Sequence, residues 1–212
     1  MDYRYSLPDC QQTFCIMKTP PKVSVRDTLP SDAQAIFQLR SDPAMSGMQY
    51  APAAHEIPAS FLAHVIPSSP MPEHGFCCST ILCQNEFCGF VFQNYYRLGD
   101  SKPIVDCGWS LRPQLWGQGI MRSALQLILE DRFANSPQLR VTAACFSDNA
   151  RCLRLLEKLN FRQEPLPWGE WLGHLRQTYW RKKVLKFGLD AESFRLAPAQ
   201  NNAIDSKSPS PG

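Results

Sequence analysis

Apolar residues along the chain switch repeatedly between two spacings, and the switches outline a mixed fold. Residues 23–26 alternate as a short strand. Ser31 followed by Gln34 gives a capping-box pattern, after which Ala35, Ile36 and Leu39 repeat at helical spacing. The stretch 41–72 is rich in Pro, Ser and Ala, with a second helix expected at about 59–65. Runs of β-rich sequence at 76–82 and 87–95 flank Gln84-Asn85-Glu86, which is a hairpin pattern. Residues 104–111 form a further strand of apolar and small residues. From 121 to 133 the pattern is helical, with Ile120, Ala124 and Ile128 on one face beside Met121 and Leu125. A strand at 139–145 follows, and then Asn149 sits where a helix N-cap belongs, ahead of a core stripe of Leu155, Leu156 and Leu159. Closing strands are expected at 161–163 and 178–185. This order predicts an α/β fold, a mixed, mostly antiparallel central sheet with helices on both faces.

Composition adds the boundaries. At 212 residues and 44% hydrophobic, the chain suits one domain with a sizeable core, placed at 23–187. Residues 1–22, which include Pro20-Pro21, are expected to be an N-terminal arm, and 190–212, ending in Ser208-Pro209-Ser210-Pro211, a disordered tail. A net charge of +3 is too mild for a nucleic-acid partner to be expected. No run approaches the roughly twenty apolar residues that span a bilayer, and the opening residues lack the basic-then-apolar order of a signal peptide. Nine cysteines, an odd number, fit reduced thiols and a cytoplasmic setting. Cys77, Cys78, Cys83 and Cys88 invite a zinc reading, but their spacing is not that of paired C-x-x-C knuckles. Alternation sends Cys77 and Cys78 to opposite faces of a sheet, so buried apolar roles are expected and no metal. His55, His64, His74 and His174 show no ligand spacing, and only His174, near the expected cleft, keeps a small catalytic claim.

The candidate chemistry lies between the strand at 104–111 and the helix that begins near 121. A helix N-terminus presents unpaired N–H groups and a positive dipole end, and Gly117 and Gly119 let the backbone approach a ligand closely. A phosphate-binding P-loop would need Lys and Ser or Thr after the last glycine, where Ile120-Met121 stand instead. A dinucleotide fingerprint would need a third glycine and an acidic residue on a second strand, and neither is found. What remains is Gln114-x-x-Gly117-x-Gly119, which resembles the Q/R-x-x-G-x-G/A acetyl-coenzyme A loop of the GNAT superfamily of N-acetyltransferases. The segment from Asp148-Asn149-Ala150-Arg151-Cys152 to Leu159-Asn160-Phe161 is similar to that family's N-A-R-S-x-x-L-L-E-K-L-G-F run. Upstream, Val25-Arg26 with the residues from Asp32 to Pro43 resembles the branch that acetylates ribosomal-protein N-termini.

The resemblance implies that the strands at 104–111 and 139–145 splay at a bulge and admit the pantetheine arm of acetyl-coenzyme A, the cosubstrate. It implies cosubstrate-binding roles for Trp109, Ser110, Leu111, Gln114, Trp116, Gly117, Gln118, Gly119, Ile120, Met121, Asn149 and Cys152. Trp116 also suits plain packing at a rim, and Asn149 plain capping. Asp106 aligns with the Glu of the family's E-I-G-Y strand and is the candidate general base, with a structural ion pair to Arg112 or Arg26 as its alternative. Cys152 occupies the place where relatives carry the Ser that protonates the leaving thiolate. A thiol donates hydrogen bonds more weakly than a hydroxyl, so Tyr179, then Tyr95 or Tyr96, stand as alternates. Asn160 replaces a helix-terminating Gly, the next-best residue for a left-handed terminus.

The implied activity is acetyl transfer to a primary amine by direct attack in a ternary complex. A non-catalytic acyl-coenzyme A sensor and acetylation of a small-molecule amine are the alternatives. An α-amino group of pKa about 7.7–8.0 is roughly a tenth neutral at pH 7, whereas a lysine near 10.4 is neutral in less than about a thousandth of molecules. One carboxylate therefore favours a peptide N-terminus as acceptor. The acceptor wall is expected from 41–72, through Met45, Met48, Tyr50 and Phe61, and from 165–174, through Trp168 and Trp171. Monomer and homodimer are both compatible with the sequence.

Overall fold

A computed structural model describes residues 22–45, 75–99, 101–165 and 183–196. Its strands are β1 (Val23–Asp27), β2 (Gly75–Cys83), β3 (Glu86–Tyr96), β4 (Ile104–Leu111), β5 (Arg140–Phe146), β6 (Arg162–Glu164) and β7 (Val184–Leu189). Its helices are α1 (Ala33–Ser41), α2 (Ile120–Asn135), α3 (Ala150–Lys158) and α4 (Ala191–Arg195). The strands form one seven-stranded sheet in the order β1-β2-β3-β4-β5-β7-β6. Every pairing is antiparallel except β4–β5. A parallel pair needs a crossover, and α2 supplies it.

Alternation along β4 sorts its side chains between the two faces of the sheet. Val105, Cys107 and Leu111 join the larger core cluster with Ile120, Ala124, Leu125 and Ile128 of α2 and Leu156 and Leu159 near the end of α3. The smaller cluster unites Ile36 and Leu39 of α1 with Met45, Cys78 and Phe90. Cys77 lies in the larger cluster and Cys78 in the smaller, so these neighbours take opposite faces as alternation requires. Burial raises the Cys78 thiol to about 12, which suits a small apolar core residue.

The hairpin between β2 and β3 turns at Gln84 and Asn85, whose φ values of 54° and 67° are those a tight two-residue turn demands. Farther along β3, the fully buried Gln93 donates from Nε2 to Ser79 Oγ at 3.1 Å and accepts from Tyr95 Oη at 3.0 Å and Arg132 Nε at 3.1 Å. These bonds fasten the C-terminal end of α2 to the sheet.

Several sequence expectations shift. The capping box expected at Ser31 and Gln34 is not the device that starts α1. Asp32 instead turns back, accepting from Leu29 N at 2.8 Å, Thr80 Oγ1 at 2.9 Å and both Arg26 guanidinium nitrogens at 2.6 and 2.8 Å. It closes the loop between β1 and α1 onto β2. The last strand runs to Leu189 rather than ending at 185. The disordered tail does not begin at 190: Asp190 Oδ1 accepts from Ser193 N at 2.8 Å and starts α4, whose Phe194 ring lies 5.4 Å from Phe133. Asn160, with φ of 62°, ends α3 in the left-handed conformation expected of it. The arm at 1–21, the helix expected at 59–65, all four histidines and residues 197–212 lie outside the described residues.

Burial acts to raise the Asp32 carboxyl, but the bonds from Arg26, Leu29 and Thr80 outweigh it and hold the group below its ordinary value. A carboxylate lowered on folding contributes stability that is complete above its unfolded pKa of about 3.9 and is lost as pH falls through the folded value. Asp32→Asn is therefore expected to cost about 2 kcal/mol at neutral pH. Urea titrations should show the gap between parent and variant closing as pH drops below about 4.

Candidate active site

The β4–β5 ladder stops early. Ile104 pairs with Arg140, Val105 with Val141 and Asp106 with Thr142, and there the pairing ends. Beyond that rung β4 stays paired with β3 up to Leu111, while β5 stays paired with β7 up to Phe146. The two strands therefore part like a fork, and their facing backbone groups from about residue 108 and residue 143 onward have no ladder between them. The β3–β4 register is continuous, so the expected bulge in β4 is absent. The irregularity in this region of the sheet falls between Ile81 and Leu82 of β2 instead.

Beyond the fork the chain makes a 3-10 turn at Pro113–Leu115, and Trp116 Nε1 donates to Leu111 O at 2.8 Å, locking turn to strand. Gly117 and Gly119 then adopt φ of 80° and 78°. A Cβ at either glycine would meet no atom within 4 Å, so conformation rather than crowding calls for glycine here. Gly119 is the N-cap of α2 and its carbonyl accepts from Ser123 N at 3.0 Å. The first-turn N–H groups of Ile120, Met121 and Arg122 have no intrahelical acceptor by the geometry of any helix start. They open beside the fork as an anion cradle.

Fork and cradle share a cleft of about 870 Å³. The described residues lining it include five cations, Arg40, Arg122, Arg151, Arg154 and Lys158, and no Asp or Glu. Arg151 is held with its guanidinium 4.3 Å over the Trp116 ring. Arg122 Nε is buried without a hydrogen-bond partner. A polyanion fits this lining, because a cluster of like charges is otherwise self-repelling.

Two thiols meet in the cleft wall. Cys145 comes from β5 and Cys152 from the first turn of α3, where Asn149 Oδ1 accepts from Cys152 N at 3.2 Å. Their mutual hydrogen bond raises the Cys152 thiol, and burial raises it further. The same bond outweighs burial at Cys145 and lowers it. Cys152 thus keeps its proton through neutral pH.

The structure brings together most of the residues singled out in the sequence. Trp109, Ser110, Leu111, Trp116, Gly117, Gly119, Ile120, Met121, Asn149 and Cys152 all line the cleft. Gln114 and Gln118 do not: both are exposed, and Gln118 Nε2 donates to Gln114 O at 3.1 Å, which bridges the turn on its outer side. Asp106 lies at the base of the fork rather than in its lining, with Oδ1 accepting from Thr142 Oγ1 at 2.7 Å. The ion-pair partners expected for it are engaged elsewhere, Arg26 with Asp32 and Arg112 5.4 Å over the Phe87 ring. Tyr95 is buried in the Gln93 network and Tyr96 pairs with Ile104 at the closed end of β4, so neither reaches the cleft. Tyr179, Met48, Tyr50, Phe61, Trp168 and Trp171 lie outside the described residues. Sequence reasoning missed Cys145 and the five cations. For Arg151, Arg154 and Lys158 a signal existed, since their spacing puts them on one face of a helix.

A forked sheet, a helix start preceded by two left-handed glycines and a basic lining without Asp or Glu among the described residues are compatible with an extended, amide-bearing, phosphorylated cosubstrate. The model of the acetyltransferase (GNAT) domain matches residues 22–162, and the chain belongs to this family of acetyl-coenzyme A-dependent N-acetyltransferases. Solved structures share the fold at low identity. A ribosomal-protein-S5-alanine acetyltransferase from Vibrio fischeri superposes with a TM-score of 0.61 at 16% identity, over 81% of this chain and 94% of its own. A Mycobacterium smegmatis RimJ in complex with CoA-disulfide gives 0.61 at 19% identity, over 82% of this chain and 85% of its own. An aminoglycoside acetyltransferase in complex with coenzyme A gives 0.61 at 14%, over 82% and 98%.

Gly119→Glu would place a carboxylate in the cradle and force a left-handed conformation on a side-chain-bearing residue. Acetyl-coenzyme A affinity should fall at least about tenfold, a loss of about 1.4 kcal/mol or more. Backbone strain should cost stability by only about 1–2 kcal/mol, since the added Cβ meets no neighbour. Calorimetric titration of the folded variant reads the first, and thermal unfolding the second.

Proposed function

We propose that the protein transfers acetyl from acetyl-coenzyme A to the α-amino group of a protein or peptide N-terminus, by direct attack in a ternary complex. The observation that carries this reading is the cleft's charge. Among the described lining residues there are five cations and no carboxylate. A polycationic acceptor, such as an aminoglycoside or a polyamine, would find no carboxylate there to pair with, whereas an α-amine that is partly neutral at pH 7 needs none. The family's use of acetyl-coenzyme A supplies the donor.

Within this reading the facing edges of the fork pair with the amides of the pantetheine arm as an added strand would. Their N–H groups also lie where the thioester carbonyl can be polarised. Asp106, at the last rung, takes the amine's proton directly or through water. Cys152, whose thiol lies in the cleft wall, is the candidate that gives a proton to the departing thiolate. Trp109, Ser110 and Leu111 line the β4 side of the arm's path, and the 117–121 turn holds the pyrophosphate. Tyr179 stays the alternate acid.

Free-thiol release on mixing acetyl-coenzyme A with acceptors tests the reading. Peptides with a free N-terminus should react, and N-terminally blocked lysine peptides and aminoglycosides should not. Coenzyme A binding with no release across the whole panel would return the sensor reading. Asp106→Asn should lower kcat at pH 7 by ~10² or more, and the deficit should shrink as pH rises and the amine deprotonates unaided. A deficit constant across the amine's titration would make Asp106 purely structural. Cys152→Ala should lower kcat by ~10–100-fold, and Cys152→Ser should recover most of it, as steady-state rates at saturating acetyl-coenzyme A can show.

A further inference from the structure

The two strands of the fork are joined at its closed end by side chains as well as backbone. Asp106 of β4 and Thr142 of β5 are partners on the last rung, and Thr142 Oγ1 donates to Asp106 Oδ1 at 2.7 Å. The direction is fixed, because an ionised carboxylate only accepts, and the length is that of a charge-assisted bond. Thr142 is only 3% exposed, whereas Asp106 is half-buried at the base of the fork. A β-branched residue on a strand has few χ1 choices, so this hydroxyl is a stiff donor. The same line across the sheet continues to Gly188 of β7, the partner of Thr142. A Cβ at Gly188 would collide with the Glu164 carboxylate and the Arg140 guanidinium, so the Arg140–Glu164 ion pair fills the space over it. By register the charged residues on the Asp106 face of β5, β6 and β7 are Arg140, Arg162, Glu164 and Lys186, and uncharged Asn94 faces it from β3. On the opposite face Cys107 stays a neutral thiol, pushed up by burial and then by the Asp106 charge.

We propose that Thr142 is a positioning residue for acetyl transfer: its hydroxyl aims the Asp106 carboxylate into the fork and keeps it ionised as the amine's proton acceptor. The inference rests on Asp106 being the base, and it deepens that reading by naming the group that holds the base in place. Thr142 does not line the cleft, so it acts through Asp106 and touches neither substrate. A base displaced by about 1 Å loses much of its effect, and a bond to one carboxylate oxygen from a stiff, buried donor prevents that drift. A carboxylate offers about four acceptor sites, so one hydroxyl bond leaves it able to receive a proton from the amine or from a bridging water. Half-burial favours the neutral acid, whereas a hydrogen bond donated to the ionised form favours the base. Thr142 therefore serves orientation and charge at once, on the rung where the slot begins.

Steady-state rates of the full chain with acetyl-coenzyme A and a peptide acceptor, together with carboxyl carbon-13 NMR, test the proposal. Thr142→Val keeps the β-branch a strand favours and removes the donor, and circular dichroism checks that it folds. Its kcat at pH 7 should fall ~10-fold or more, with KM for acetyl-coenzyme A moving less than about twofold. Thr142→Ala, a second donor-free variant, should behave alike, and Thr142→Ser should recover most of kcat. In an Asp106→Asn background Thr142→Val should cost no further activity, because the hydroxyl then has no base to hold. The Asp106 carboxyl resonance, assigned by its loss in Asp106→Asn, should titrate at higher pH in Thr142→Val than in the parent and return towards the parent in Thr142→Ser. A resonance that titrates unchanged in Thr142→Val, or an equal loss of kcat in both backgrounds, would overturn the positioning role while leaving Asp106 as the base. An Asp106→Asn deficit constant across the amine's titration would instead remove the base, and the positioning role with it.

Discussion

Everything at this site depends on a ladder that closes for three rungs and then opens. A sheet normally satisfies the backbone groups of its inner strands on both sides, and leaving them open next to a core is costly. Here the chain keeps β4 fully paired with β3 and β5 fully paired with β7, so the sheet stays continuous on either side of the gap. The gap is then a slot walled by paired strands rather than a frayed edge. Such a slot can take an amide-bearing chain as a missing strand, with the ordering already done by the fold.

The same fork places the chemistry. Its closed end carries Asp106 and Thr142 on the last rung, while its open end leads from Leu111 through the Trp116 lock to the two left-handed glycines and the start of α2. Cys145 and Asn149, from β5 and the turn after it, bring Cys152 to the other wall. One strand therefore connects the candidate base, the proposed path of the arm and the proposed phosphate cradle, and the other connects the candidate acid. The two buried clusters hold these strands from opposite faces, α2 and α3 on one side and α1 on the other.

Much of this was legible in the sequence because it is local. Strand alternation, the glycine turn, the Asn149 cap and the left-handed Asn160 are each set by neighbours within a few residues, and each appears where its spacing put it. What was not legible depends on partners far apart in the chain. The capping box read at Ser31 and Gln34 gave no role to Asp32, because Arg26 and Thr80, which donate to it, lie on β1 and β2. Asp106 had Arg26 and Arg112 as sequence candidates, yet register gives it Thr142, 36 positions away. The thiol pair of Cys145 and Cys152 needs the β5-to-α3 turn to exist before either position means anything. Resemblance also carried a bulge into β4 that the register does not contain.

Amide hydrogen exchange along the fork is the most direct measurement of the account. The N–H groups at residues 108–111 and 143–146 that face the gap should exchange faster than those in the closed β3–β4 and β5–β7 ladders, and acetyl-coenzyme A should slow them on both edges together. The first turn of α2 should gain protection in the same titration. Exchange at both edges that stays unchanged while acetyl-coenzyme A is demonstrably bound would contradict the fork as the cosubstrate's seat.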